Sequence, residues 1–100
     1  MKKLLLIANP HSGKGQIKKY ITDIIDIFNR EDYEVSVHLT QGPRDAYKVA
    51  KNAGRRYDMI AVSGGDGTLD EVVSGMIEGH VTAPVGYIPT GTTNDFAHSM

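Results

Sequence analysis

Short apolar runs alternate with stripes of apolar residues repeating every three or four positions, and this alternation restricts the chain to very few folds. Leu4 to Ala8 is a continuous apolar run between two lysines and Asn9-Pro10, the pattern of a central parallel strand covered on both faces. It stops after five apolar residues, short of the roughly 7–15 of a signal-peptide core and far short of a membrane span. Ile17, Tyr20, Ile21, Ile24, Ile25 and Phe28 then fall on one helical stripe, with Lys18, Lys19, Asp23 and Asp26 pointing outward. Tyr33, Val35, Val37 and Leu39 alternate with Glu34, Ser36 and His38, which predicts a strand with one polar face, nearer a sheet edge. Pro43 is expected in the first turn of a helix that lines up Ala46, Val49, Ala50 and Ala53 and ends at Gly54.

Met59 to Val62 predicts a third strand, followed by a loop from Ser63 to Thr68. Leu69, Val72, Val73, Met76 and Ile77 form the next helical stripe, with Gly79 as its stop, and Val85 to Ile88 a fourth strand. Pro89 to Asp95 is a further turn, and Phe96-Ala97 opens a helix that Met100 leaves unfinished, so the 100 residues read as an excerpt of a longer chain. The resulting order β-α-β-α-β-α-β, with connections long enough for right-handed crossovers, specifies a doubly wound parallel α/β sheet in one domain, residues 1–100.

Composition removes several functions. There is no cysteine, which excludes disulfide scaffolds, thiolate nucleophiles and Cys-based zinc sites. Eleven Lys+Arg against 12 Asp+Glu are too balanced for a protein whose main partner is a nucleic acid. His11, His38, His80 and His98 show no paired spacing, so a zinc site is not expected. Lys14, Lys18 and Lys19 read as a solvated helix face.

In open parallel sheets ligands bind beyond the carboxyl ends of the strands, where free helix N–H groups attract anions. Three exits here are rich in Gly, Ser, Thr and Asn: Asn9 to Gly15, Gly64 to Thr68 and Gly91 to Asn94; Thr40-Gln41-Gly42 is milder. Turns need about one glycine per bend, but Gly64-Gly65-Asp66-Gly67 lacks side chains at three of four positions, as a backbone approaching phosphate oxygens requires. Neither nucleotide fingerprint fits. Gly15 stands where a P-loop needs Ser or Thr, and Lys18 and Asp70 replace the third glycine of a dinucleotide motif.

A carboxylate at 4 Å from a phosphate is repelled by about 1 kcal/mol in water and about 4 at an effective dielectric near 20. Asp66 therefore belongs beside a polyphosphate only with a cation between them, and magnesium suits carboxylate, water and phosphate oxygens together. The alternative role for Asp66 is the cap of a helix starting near Thr68.

Gly64-Gly65-Asp66-Gly67-Thr68 resembles the GGDGT signature of diacylglycerol, sphingosine, ceramide and NAD kinases and, in related form, phosphofructokinases. With Asn9-Pro10-His11-Ser12-Gly13-Lys14 and Gly91-Thr92-Thr93-Asn94-Asp95-Phe96-Ala97 in the same order, the chain is similar to the soluble bacterial diacylglycerol kinase-like lipid kinases along its whole length. The resemblance implies the nucleotide-binding domain fold of the NAD kinase and phosphofructokinase group, here truncated. It also implies ATP binding, with phosphoryl transfer to a lipid hydroxyl. Asn9, Pro10, His11, Ser12 and Gly13 match the first nucleotide loop, with the His11 ring an exposed spacer, and Thr40 matches the contact from the second exit. Gly64, Gly65, Asp66, Gly67, Thr68, Leu69, Asp70 and Glu71 match the phosphate loop and its helix, and Thr92 the last contact.

Asp70 stands where the family commonly has Asn. The family's general base and its β-rich second domain are expected beyond Met100, so these residues alone are predicted inactive. ATP, Mg2+ and a lipid at the membrane surface are the implied partners, a homodimer is left open, and the expected location is the cytoplasm with peripheral membrane contact. The competing readings are an NAD kinase-like enzyme, which the Asn9-Pro10 and Gly91-to-Ala97 motifs disfavour, and a non-catalytic nucleotide-binding regulatory module.

Overall fold

A computed structural model of the chain describes residues 1–11 and 17–89. Its elements are β1 (Lys2–Ala8), α1 (Ile17–Arg30), β2 (Tyr33–Leu39), α2 (Asp45–Lys51), β3 (Met59–Gly64), α3 (Asp66–Glu78) and β4 (Val85–Pro89). All strand pairs are parallel, in the order β2-β1-β3-β4. The helix opening expected at Phe96 lies outside the described residues.

β1 sits inside the sheet and is covered on both faces, which is why its run needs no polar alternation: Leu4, Leu5, Leu6, Ile7 and Ala8 are all 4% exposed or less. Each such leucine or isoleucine stabilises the fold by roughly 1.5–3 kcal/mol relative to exposure. On one face Leu4, Leu6, Ala8 and Ala61 pack with Ile17 and Ile24 of α1. On the other Leu5, Ile7, Ile60 and Val62 pack with Ala46 and Ala50 of α2 and Val72 and Met76 of α3. The sheet is therefore doubly wound, as the alternation of elements requires. β2 is an edge strand, as its polar face implies. Only the start of its expected apolar face is covered: Tyr33 and Val35 pack beside α1, with the edge of the Phe28 ring against Tyr33 at 5.9 Å, whereas Val37 and Leu39 stay exposed.

Several local expectations need correction; α2, for one, ends at Lys51 with Asn52 as its cap rather than at Gly54. Pro43 does not open α2. It occupies the second position of a tight turn in which the Asp45 N–H donates to the Gly42 carbonyl at 3.2 Å, and Arg44 takes φ 70°, ψ −3° before the helix begins. Proline followed by a positive-φ residue is the geometry of a type II turn. The segment from Ser63 to Thr68 is not an extended loop, because β3 continues through Gly64 and α3 begins at Asp66, leaving Gly65 as the single linking residue.

A further correction concerns the face of α3. Val73 and Ile77 remain exposed, the latter at 71%, while Thr68, Val72, Gly75 and Met76 are buried. Gly75 and Gly79 turn the helix this way, since they allow α2 to approach directly. A Cβ at Gly75 would lie 2.3 Å from the Tyr47 carbonyl oxygen, and one at Gly79 would lie 2.2 Å from that of Lys51. The Tyr47 hydroxyl, which donates to Glu78, and the Lys51–Glu78 ion pair at 3.3 Å close the same interface. Gly79 is also not the left-handed stop. His80 is, at φ 55°, with its N–H donating to Ile77 and that of Val81 to Met76, the paired bonds of a Schellman ending.

Candidate functional site

β1 leads to α1 on one face and β3 leads to α3 on the other, so a crevice opens between the carboxyl ends of β1 and β3, where such sheets bind ligands. Asn9 bridges it. Its backbone N–H donates to the Ser63 carbonyl at 2.9 Å, its Oδ1 accepts the His11 N–H at 2.9 Å, and its Nδ2 donates to Thr68 Oγ1 at 3.3 Å. The first strand exit is thereby tied to the first turn of α3. Thr40, which is buried, continues the ladder beyond β2 by donating its N–H to the Ala8 carbonyl at 2.8 Å.

An open cleft of about 370 Å³ lies among these elements, lined by Asn9 and His11, by Thr40, Gln41, Gly42 and Pro43 with Ala46, and by Thr68 and Glu71. Of the residues singled out in the sequence, Asn9, His11, Thr40, Thr68 and Glu71 meet on this lining. Pro10 lies in the turn between Asn9 and His11. Gly64, Gly65, Asp66 and Gly67 are not on the lining but form the adjoining end of β3 and start of α3. Leu69 turns toward the core, leaving its backbone N–H bonded to Gly65, and Asp70 is exposed on the helix. Ser12, Gly13 and Thr92 lie outside the described residues. Sequence reasoning did not assign Gln41, Gly42, Pro43 and Ala46 to a site; the Gly42-Pro43 turn next to Thr40 was the available signal.

The start of α3 has an unusual construction. Its N-cap is Gly65 at φ −85°, ψ −179°, which makes no side-chain capping bond. Among the described residues, a Cβ added at Gly65 or Gly67 would meet nothing within 4 Å. Among the described residues neither packing nor a left-handed backbone requires glycine there, so their missing side chains leave the backbone bare over the first turn, where the Asp66 and Gly67 N–H groups precede the first helical acceptor while those of Thr68 and Leu69 donate to the Gly65 carbonyl. Gly64 is different: a Cβ would come 3.0 Å from Thr68, and its carbonyl accepts the Tyr87 hydroxyl at 3.0 Å. Burial, with the charge of Asp66 adding to it, pushes the Tyr87 phenol above its ordinary pKa. Asp66 is the first residue of α3 rather than its cap, and is exposed.

The lining contains no lysine or arginine among the described residues. The Glu71 carboxylate stands on the lining, so negative charge in the cleft depends on the adjoining start of α3, whose end favours an anion by a few tenths to about 1 kcal/mol at an exposed site. A polyphosphate needs more. No group of three or more His, Asp or Glu is placed to hold a metal among the described residues, so a closed protein cage is not available there. One exposed carboxylate, Asp66, beside an open helix start fits the binding habit of magnesium, which keeps its waters and shares one or two carboxylates with substrate phosphates.

The profile of the diacylglycerol kinase catalytic domain matches residues 3–100. The diacylglycerol kinase of Bacillus subtilis strain 168 is 42% identical over 101 residues, covering 100% of this chain and 33% of the relative. That of Staphylococcus haemolyticus strain JCSC1435 is 42% identical over 96 residues, covering 95% of this chain and 29% of the relative. A crystal structure of a diacylglycerol kinase from Bacillus anthracis strain Sterne superimposes with a TM-score of 0.79 at 31% identity, over 98% of this chain and 36% of that one. The chain thus spans about a third of the length of the curated relatives it matches. With a profile match over nearly all of its residues and a shared fold, the chain belongs to the diacylglycerol kinase catalytic domain family.

Proposed function

We propose that residues 1–100 are the N-terminal, ATP-binding part of a lipid kinase that transfers the γ-phosphoryl group of ATP to a lipid hydroxyl, converting diacylglycerol to phosphatidic acid. The observation that carries this reading is the start of α3: a glycine-framed first turn with no described atom within 4 Å of where the Gly65 and Gly67 side chains would stand, beside Asn9 and Thr68 at the crevice between β1 and β3. Phosphoryl transfer depends chiefly on positioning and on neutralising charge. Backbone N–H groups of the first turn hold phosphate oxygens, Asn9 and Thr68 fix the distance between the two strand exits, and Thr40 with Gln41 to Pro43 forms the far wall. Asp66 would hold a magnesium ion, which neutralises charge on the phosphate oxygens during transfer. Ser12, Gly13 and Thr92 complete the nucleotide contacts in this reading, as do Pro10, His11 and Gly64 to Glu71.

The base that deprotonates the lipid hydroxyl is assigned to a β-rich domain following Met100, not to Asp66 or Asp95. Residues 1–100 alone are therefore expected to transfer no phosphate to lipid. The lipid is met at the membrane surface by a peripheral, cytoplasmic enzyme, and no described helix is long and apolar enough to cross a membrane. The test incubates the full-length protein with γ-labelled ATP, magnesium and either diacylglycerol in mixed micelles or NAD. Label in phosphatidic acid and none in NADP is the expected result; label in NADP, or in neither, overturns the reading.

A further inference from the structure

The wall of the cleft facing α3 is the connection from β2 to α2, Thr40 to Arg44, and four of its five residues line the cleft. A stretch containing Gln41-Gly42 has little intrinsic stiffness, and Arg44 takes a left-handed backbone at φ 70°, which a non-glycine residue keeps only where its surroundings over-determine it. The Arg44 guanidinium stacks on the Tyr47 ring at 4.1 Å. The Thr40 N–H donates to the Ala8 carbonyl and Gln41 Nε2 to the Leu39 carbonyl at 2.9 Å, and three further contacts converge on Asp45. Its Oδ2 accepts the Gln41 backbone N–H at 2.8 Å and lies 2.9 Å from His38 Nε2, while its own N–H donates to the Gly42 carbonyl at 3.2 Å.

An acidic residue at the start of a helix is commonly explained by the helix dipole. Asp45 uses its carboxylate otherwise. It reaches back four residues to the Gln41 N–H and across to His38, the penultimate residue of β2, so the wall, the strand and the helix share one oxygen atom. Neither Asp45 nor His38 lines the cleft. Resting on the nucleotide reading of the cleft, we propose that Asp45 and His38 are positioning residues for the kinase reaction, fixing the Thr40-to-Pro43 wall so that the cleft is preformed for the nucleotide. In support, the His38 contact first and the Gln41 N–H second hold the Asp45 carboxyl below its ordinary pKa, as expected where the ionised form is the one being bonded.

The test uses the full-length protein in three forms: wild type, Asp45→Ala and Asp45→Asn, the last retaining a carbonyl acceptor for Gln41. Loss of a bond to a charged group corresponds to about a tenfold effect or more, so Asp45→Ala should weaken Mg·ATP binding in calorimetry by about that factor. Turnover at saturating nucleotide should stay within about twofold, and the Gln41 amide should lose hydrogen-exchange protection by a factor similar to the binding loss. Asp45→Asn should recover most of both. If wild type takes up no Mg·ATP, the nucleotide reading itself fails. If wild type binds and Asp45→Ala binds equally well, or loses turnover without losing affinity, the positioning role is overturned. Should Asp45→Ala not fold, His38→Ala decides: weaker binding together with faster Gln41 exchange supports the role, and unchanged binding refutes it.

Discussion

Between β2 and α2 the chain takes five residues to turn, Thr40 to Arg44; between β3 and α3 it takes one, Gly65. The two exits stand on the same rim and are held in opposite ways. The longer one is fastened by side chains, with Asp45 bonded to His38 and Gln41 and Arg44 stacked on Tyr47. The shorter one is shaped by backbone bonds, Thr68 and Leu69 both donating to the Gly65 carbonyl, and by Gly65 and Gly67, where no described atom lies within 4 Å of the place a side chain would fill. Side chains suit a wall that must keep its shape, whereas bare backbone suits a surface that must let an anion come close. Substituting a wall residue and substituting a glycine of α3 should therefore fail differently, the first through geometry and the second through occlusion.

The comparison breaks most completely if the helices carrying the two exits are forced apart. Gly75→Ala places a methyl 2.3 Å from the Tyr47 carbonyl oxygen, and overpacking of this kind should cost about 3 kcal/mol, read as a lower urea midpoint with the m-value unchanged. Gly67→Ala sharpens the contrast, since its Cβ meets no described atom within 4 Å and alanine is the better helix former by up to about 1 kcal/mol. It should raise the unfolding midpoint slightly while weakening Mg·ATP binding about tenfold, the equivalent of about 1.4 kcal/mol. A loss of stability in parallel with binding would show that Gly67 is structural.

Tyr87→Phe removes the hydroxyl that fixes the Gly64 carbonyl; one neutral hydrogen bond is worth about 1 kcal/mol, to be measured by urea unfolding. The smallest effect depends on pH. With Asp45 held below its ordinary pKa, the folded state binds fewer protons than the unfolded chain as pH falls. Its stabilisation is complete above the unfolded value of about 4 and disappears as pH drops through the lower folded value. Between about pH 5 and 3, around that unfolded carboxyl value, the urea midpoint of wild type should fall more than that of Asp45→Asn.

Much of this is legible in the sequence. A strand buried on both faces leaves an uninterrupted apolar run, as Leu4 to Ala8 does, and an edge strand leaves an alternating one, as Tyr33 to Leu39 does. The accumulation of glycine at 64–67 signalled a surface built from backbone. Its secondary structure was not legible, because three glycines in four residues look like a loop, and only hydrogen bonds to the Gly65 carbonyl show that α3 starts at Asp66. The stripe through Val73 and Ile77 misled for a related reason: Gly75 carries no hydrophobicity, yet it sets which side of the helix meets α2. Gln41 and Gly42 read only as the milder exit and Pro43 as a helix opener, because the contact of His38 with Asp45, seven residues apart across a turn, is encoded by no periodicity.

The most direct measurement is calorimetric titration of the full-length protein with ATP in the presence and absence of magnesium, for wild type and Asp66→Ala. Asp66 is exposed at the start of α3, so the variant should keep its unfolding midpoint nearly unchanged. Wild type should bind ATP more tightly with magnesium than without, and Asp66→Ala should lose that magnesium-dependent gain. Binding that ignores magnesium, or a gain that survives the loss of the Asp66 carboxylate, would contradict a phosphate site at the start of α3.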